Sequence, residues 1–296
     1  MPASSLPSTS IENEFLRVDY LTTTGPRIIG LYAKGVEGNL LAETPEVHWA
    51  TPYGEYYLRG GHRLWTAPED PFYICPEGHV EVITKKDEVS LRSDIEASGL
   101  GKEISFRLEN NCVILSQQAT WHGKEPIEIA PWGITQLRLG GIAILPQSAS
   151  DGLAPNRNLI FWPYSEMKDD RLELHDDLIL VHRRASGKAF KIGNYNPHGW
   201  LACLFENALF VKRFSAAPRN HPDLGCNAEA YVKDVCIELE TLGPLTTLGP
   251  EETVTHNETW EVTAGEYSLA LETARRISKQ LSIKQNTNGV INGKQN

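Results

Sequence analysis

Three short stretches carry residue types that could do chemistry together. In Val235-Cys236-Ile237-Glu238-Leu239-Glu240-Thr241, strand geometry sends Val235, Ile237 and Leu239 to one face and Glu238 and Glu240 to the other. The strand rise alone separates the two carboxylates by ~7 Å. In a lined cleft, proximity and partial burial would lift a carboxylate toward the general-base range; facing water, the pair would be ordinary solvated acids. The second stretch is Arg59-Gly60-Gly61-His62-Arg63-Leu64-Trp65. Its glycines permit close backbone approach, arginine offers a rigid fork of donors, and an aromatic face suits the C–H side of a sugar ring. It reads either as a hydroxyl-binding site or as a turn with a structural arginine and a core tryptophan. The third, His256-Asn257-Glu258-Thr259-Trp260, sets His256 and Glu258 on the apolar stripe of Val254, Trp260 and Val262. That placement favours a hydrogen-bonded structural pair. A further polar cluster, Asp223-Leu224-Gly225-Cys226-Asn227 with Glu229, fits a cleft rim or a plain connecting turn.

Other chemistries are missing from the sequence. There is no GxSxG elbow, HExxH pair, complete P-loop or dinucleotide fingerprint, and Gly99-Leu100-Gly101 reads as a turn. Asp169-Asp170 and Asp176-Asp177 lack the ligand spacing of a calcium loop. The nine histidines never fall in His-x-His or His-x-x-x-His spacing, so no metal site and no cofactor is expected. With 28 basic against 38 acidic residues the net charge is −10, which argues against a nucleic acid or an anionic membrane as partner. The segment 1–10 has neither the basic nor the apolar region of a signal peptide, and no apolar run reaches the ~20 residues of a membrane span. Five cysteines without a CxxC pair fit reduced, mostly buried thiols in a cytoplasmic protein.

The elements that must position these residues are strands. Val80, Val82, Val89, Leu91, Ile104, Phe106 and Leu108 alternate with polar neighbours at period two. Asn110-Asn111 and Glu206-Asn207 read as hairpin turns, and further strands are expected at 158–164, 178–183, 190–195, 231–241 and 253–262. Glycine (24) and proline (18) recur between runs that seldom alternate with helices, which favours antiparallel sheets. One helix is expected over 266–280, where Leu269, Leu271, Ala274 and Ile277 form a stripe. The expected organisation is a flexible segment 1–10, one all-β antiparallel domain over 11–281 and a flexible tail 282–296.

Certain motifs resemble those of the galactose mutarotase-like (aldose 1-epimerase-like) superfamily. Glu238-Leu239-Glu240-Thr241, then Leu248-Gly249-Pro250-Glu251-Glu252 and a strand ending at Trp260, are similar to the family's "Leu-Glu-x-Gln" strand and "Leu-x-Pro-Gly-Glu" turn. Gly61-His62-Arg63-Leu64 resembles its "Gly-Asn-Arg-Ile", and Ile11-Glu12-Asn13 through Gly25-Pro26-Arg27-Ile28 fits its opening. Ala130-Pro131-Trp132-Gly133-Ile134-Thr135-Gln136 is closest to a bacterial branch of the superfamily. The resemblance, over roughly 10–265, implies a large β-supersandwich that binds a small sugar or sugar derivative. It implies either an aldose 1-epimerase interconverting α and β anomers by general acid/base catalysis, or a non-catalytic sugar binder that has lost the acid. Glu240 matches the base and Arg63 the sugar-binding arginine. The family's acid histidine aligns with Trp132, leaving His62, or else His79 or His122, as the substitute. Trp65 and Trp132 would stack on the sugar, and His79, Glu238 and Asp223 would complete the contacts. For other sugar chemistry on this fold, Arg59, Arg63, Lys212 and Arg213 read either as contacts to a phosphate or uronate or, as the favoured alternative, as scattered surface cations.

Overall fold

Period-two strands each bury one face, and here they assemble into two stacked antiparallel sheets. The computed structural model describes residues 6–148, 152–183, 187–216 and 220–292, with side chains to 282. The first sheet runs, neighbour to neighbour, Ser8–Glu12, Leu16–Leu21, Ile28–Ala33, His62–Ala67, Ile127–Leu137, Cys236–Leu242, Ala228–Lys233, Phe190–Asn194 and Ile160–Phe161. The second runs Leu172–Leu174, Leu178–His182, Ile142–Pro146, Trp200–Leu204, Ala208–Phe214, Thr253–Ala264, Cys112–Trp121, Leu100–Glu109, Glu88–Ser93 and Val80–Lys85. Their facing sides form the main core, where Leu64, Ile192, Leu239, Phe106, Leu115 and Trp260 are all buried. The fold class expected from the sequence, a large antiparallel β-supersandwich, is the one observed.

Each sheet is covered on its outer side by one further element. On the second sheet the stripe Ala274, Ile277 and Leu281 of the helix Leu271–Asn292 packs against Trp200, Leu209 and Val211. On the first, the hairpin Glu43–Thr51 and Gly54–Gly60 lays Tyr56 and Leu58 over Trp65, Trp132, Ile134 and Leu242. Gly60 and Gly61 connect that hairpin to the strand carrying Arg63, at φ 92° and 73°. A Cβ on either would stand 2.0 Å from a carbonyl oxygen, of Ala42 and Ile28 respectively, so the expected close approach is real. Arg27 locks the same corner by donating to Glu77 Oε1 (2.7 Å), the Gly60 carbonyl (3.0 Å) and the Tyr56 hydroxyl (3.0 Å).

Several expected boundaries move. The run 231–241 is two strands, because Asp234-Val235 forms a two-residue hairpin turn with Lys233 opposite Cys236; Val235 is exposed there. The run 158–164 keeps only Ile160–Phe161, since Pro163 cannot donate to a ladder. The strand Ser8–Glu12 begins inside the segment expected to be flexible, because pairing with Leu16–Leu21 satisfies its backbone; residues 1–5 lie outside the described ones. The helix starts at Leu271 and continues to Asn292 rather than ending near 280, since Ser, Gln and Asn cost a helix interior less than ~0.7 kcal/mol each. Among the described residues no disulfide joins the cysteines, of which Cys75, Cys203, Cys226 and Cys236 are buried.

Candidate functional site

Strand register builds the site on the outer face of the first sheet. Ile134 lies opposite both Arg63 and Glu240, and Glu240 lies opposite Glu229, which lies opposite Gly193. One step along the same face, Gln136, Glu238, Tyr231 and Lys191 form a parallel row. One step the other way come Trp65, Trp132 and Leu242. Side chains opposite one another across a ladder stand within ~5.5 Å, so this register alone gathers three glutamates, a lysine, an arginine and two tryptophans. Gly193 makes room for them, because a Cβ there would meet the Glu229 Cγ at 3.1 Å.

The polar atoms form a connected network. Glu240 Oε2 accepts from Trp132 Nε1 and from Lys191 Nζ, both at 2.8 Å. The Lys191 ammonium is also 2.6 Å from Glu229 Oε2 and lies over the rings of Trp132 and Trp162, 4.5 and 4.4 Å from their centroids. Arg63 Nη2 is 3.6 Å from Glu238 Oε1, and its guanidinium covers the Trp65 ring at 4.4 Å. Its Nε and Nη1 are buried with no hydrogen-bond partner among the described residues. Asp223 reaches the network from the turn Pro222–Gly225, where Asp223 and Leu224 both take left-handed backbone angles. Glu69, Tyr164 and Tyr231 stand close enough at the rim to act electrostatically on the same charges.

Burial and pairing push these groups apart in acidity. Burial would raise the Glu240 carboxyl, but the Lys191 charge and hydrogen bond outweigh it and hold the group below the usual range. Burial lowers the Lys191 ammonium less than the Glu229 and Glu240 charges raise it, so it stays charged, well above its ordinary value. Glu229 goes well up, driven by burial against the pull of Lys191. Glu238 is lifted by burial, held back by Arg63 and raised further by the Glu240 charge, to about 7. The face therefore offers a carboxylate held in its ionised form beside one that gains and loses its proton near neutrality. That pairing is capable of proton removal and proton delivery at one centre.

Of the residues singled out from sequence, Glu238, Glu240, Arg63, Trp65, Trp132 and Asp223 come together here. His62 does not. It follows Gly61 onto the opposite side of the strand, fully buried between the sheets, bonded to Thr135 Oγ1 (2.9 Å) and Gln117 Oε1 (2.8 Å). Burial drives its pKa down to about 3, so it cannot supply a proton to the outer face. His79 is exposed beside Asp94, 3.5 Å away, next to the edge strand Val80–Lys85, and His122 pairs with Glu251 at 2.9 Å. The Trp132 ring is already covered by Trp65, edge-on at 5.7 Å, and by Lys191, so it orients Glu240 rather than offering a stacking platform. Trp162 is more exposed than Trp132, although Lys191 lies over its ring as well, at 4.4 Å.

Sequence reasoning missed Lys191 and Trp162 and left Glu229 outside the site. Lys191 sits in Phe-Lys-Ile-Gly-Asn, where a lysine alternating with core residues reads as solvent-facing. A signal was available in the next position but one, since glycine inside a strand marks a close approach. The His256–Glu258 pair is the structural one expected. Glu258 accepts from Thr241 (2.6 Å) and Trp260 Nε1 (2.8 Å) and pairs with Lys212 at 3.1 Å, all between the sheets. Arg59 pairs with Glu77, Arg213 lies on the second sheet and Lys212 is internal, so the four cations considered for a phosphate do not assemble. Among the described residues no cluster of His, Cys, Asp and Glu has metal-holding geometry, and no helix is long and apolar enough to cross a membrane.

No protein-family model matches the sequence, and no curated protein matches it. Solved structures do share its architecture. A candidate aldose 1-epimerase from Escherichia coli superposes with a TM-score of 0.55 over 88% of this chain and 99% of its own, at 12% identity. A galactose mutarotase-like protein from Lactobacillus casei gives 0.53 over 87% and 100%, at 10% identity. A candidate mutarotase from Salmonella typhimurium gives 0.56 over 86% and 90%, at 11% identity. The fold is that of the galactose mutarotase-like proteins.

Proposed function

We propose that this chain binds a small sugar on the outer face of its first sheet and interconverts the sugar's α and β anomers, with Glu240 as the base. The observation that carries the reading is the Glu240 carboxylate, ionised by Lys191 and aimed by Trp132, on the strand position that matches the family's base. The likeness in fold to aldose 1-epimerase-like and mutarotase-like proteins supports the same choice.

In this reading Glu240 takes the proton from the anomeric hydroxyl while a nearby acid protonates the ring oxygen. The C1–O5 bond breaks, C1–C2 rotates, and reclosure from the other side gives the other anomer. Arg63, with two buried nitrogens that have no partner among the described residues, would bond sugar oxygens, and the partly exposed Trp162 would border the ring. Carboxyls outnumber cations here, with Glu69, Asp223, Glu229, Glu238 and Glu240 against Arg63 and Lys191, which favours an uncharged sugar over a phosphorylated or acidic one. Unpaired buried thiols suit work in the reducing cytoplasm.

The test is NMR exchange between anomers of a panel of free aldoses and sugar phosphates. Wild type should speed exchange of at least one free aldose, and Glu240→Gln should abolish that while sugar binding persists; equal turnover in the variant removes Glu240 from the role. The displacement of His62 from the site favours a second reading, a sugar-binding protein without turnover. Line broadening of a bound sugar without any accelerated exchange would select it.

A further inference from the structure

With His62 on the inner face, anomer exchange at Glu240 lacks its acid, and the outer face supplies one. We propose that Glu238 is the second catalytic residue, the carboxyl that delivers a proton to the sugar ring oxygen as Glu240 withdraws one from the anomeric hydroxyl. The inference rests on the proposed anomer exchange and deepens it.

Geometry carries the assignment. Glu238 and Glu240 are two apart on one central strand, so their side chains rise from the same face at a spacing fixed by the backbone. The anomeric and ring oxygens are both bonded to C1, and the exchange requires a sugar lying along this strand with one of them at each carboxyl. Glu238 is the more accessible of the two, 7% exposed against 1%, and Arg63 beside it holds two buried nitrogens with no partner among the described residues. The groups facing Glu238 are Arg63 from one neighbouring element, Tyr231, Tyr164 and Lys191 from the other side, and Cys236 and Glu240 on its own strand. None is a better donor. Lys191 is engaged by Glu229 and Glu240 and held well above its ordinary basicity. Burial raises the hydroxyls of Tyr164 and Tyr231 further from neutrality. Asp223 reaches in from a turn rather than from the sheet. Glu238, poised at about 7, holds a proton over half of the neutral range and releases it readily.

The step balances. On opening, the O1–H proton passes to Glu240, the C1–O1 bond becomes a carbonyl, the C1–O5 pair goes to O5, and the Glu238 proton is transferred there. Closure reverses each transfer, with O5–H giving its proton back to Glu238 and Glu240 returning its own to O1. No oxidant, reductant or net proton is needed.

The experiment measures anomer exchange against pH for wild type, Glu238→Gln and Glu238→Ala, with sugar binding as the check on folding. The expected loss in Glu238→Gln is about 100-fold or more at unchanged affinity. The wild-type rate should fall above pH ~7, and that limb should vanish in the variant. A rate within about threefold of wild type, or a reduced rate that keeps the limb, overturns the role of Glu238 while leaving Glu240 in place. Failure of wild type to accelerate any aldose overturns the anomer-exchange reading itself, and this role with it.

Discussion

At the scale of single residues, the electrostatics of the face turn on Lys191. Its ammonium is 2.6 and 2.8 Å from two buried carboxylates, and it is itself only 3% exposed. Removing one partner of such a pair leaves a buried charge without compensation, which costs about 3–5 kcal/mol unless the survivor protonates. In Lys191→Met the Glu240 carboxyl, now held low by the lysine, should rise above its unfolded value of 4.5. A carboxyl raised by folding is tolerated below its unfolded pKa and destabilises as pH climbs through the folded one. Lys191→Met should therefore lose stability relative to wild type as pH rises above 4.5, read from urea midpoints at each pH. A constant difference would mean that Lys191 only packs. The same residues mark what was legible. Period two forbids a strand from turning His62 and Arg63 to one cleft, so His62-Arg63-Leu64-Trp65 already contained the choice between them. Arg63 shares its face with Trp65, and His62 with Leu64. Lys191 was illegible because its anions, Glu229 and Glu240, arrive from strands about 40 and 50 residues further on.

At the scale of elements, the corner at Gly60-Gly61 decides where Arg63 stands. Gly61→Ala should cost about 3 kcal/mol or more, combining left-handed strain of roughly 1–3 kcal/mol with a clash against the Ile28 carbonyl. Gly140 separates the two contributions. It has φ 102°, but nothing lies within 4 Å of a Cβ there, so Gly140→Ala should show the strain alone. Chemical denaturation of both variants checks the ordering, and equal losses would assign the whole cost to backbone conformation. Hairpins with polar turns were readable, since Asn110-Asn111 and Glu206-Asn207 interrupt the apolar alternation. Asp234-Val235 was not, because Val235, Ile237 and Leu239 continue the alternation unbroken across the bend. Nor does sequence pattern explain how Pro131 fits a central strand. It sits where Ile127–Leu137 changes partner from Thr246–Leu248 to Cys236–Leu242, so the ladder is already interrupted at its missing N–H.

At the scale of the whole molecule, His62 on the inner face of the first sheet and Glu238 on its outer face pull the pH dependence of stability in opposite directions. On the inner face His62 titrates at about 3 when folded and near 6.5 when unfolded, so the unfolded chain binds the extra proton between those values. Its contribution is complete above 6.5 and is lost as pH falls, at up to about 1.4 kcal/mol per pH unit. Glu258, whose burial is outweighed by Lys212 and His256 so that it lies well below 4.5, adds a loss of the same sign below 4.5. On the outer face Glu238 titrates at about 7 folded against 4.5 unfolded, so its contribution is complete below 4.5 and is lost as pH rises to 7. Between 4.5 and 6.5 the His62 and Glu238 slopes oppose one another, and below 4.5 only the acid-sensitive terms remain. Stability should thus be nearly level across pH 4.5–6.5 as far as these groups determine it, then fall steeply with further acid. Glu238→Gln should tilt the level region so that stability rises with pH there by about one proton's slope, and His62→Gln should tilt it the other way and soften the acid fall. Urea midpoints for the three proteins at half-unit pH steps provide the check. Identical slopes in wild type and His62→Gln would mean that the inner histidine is protonated in the folded protein, and a polar layer built around a neutral imidazole would have to be abandoned.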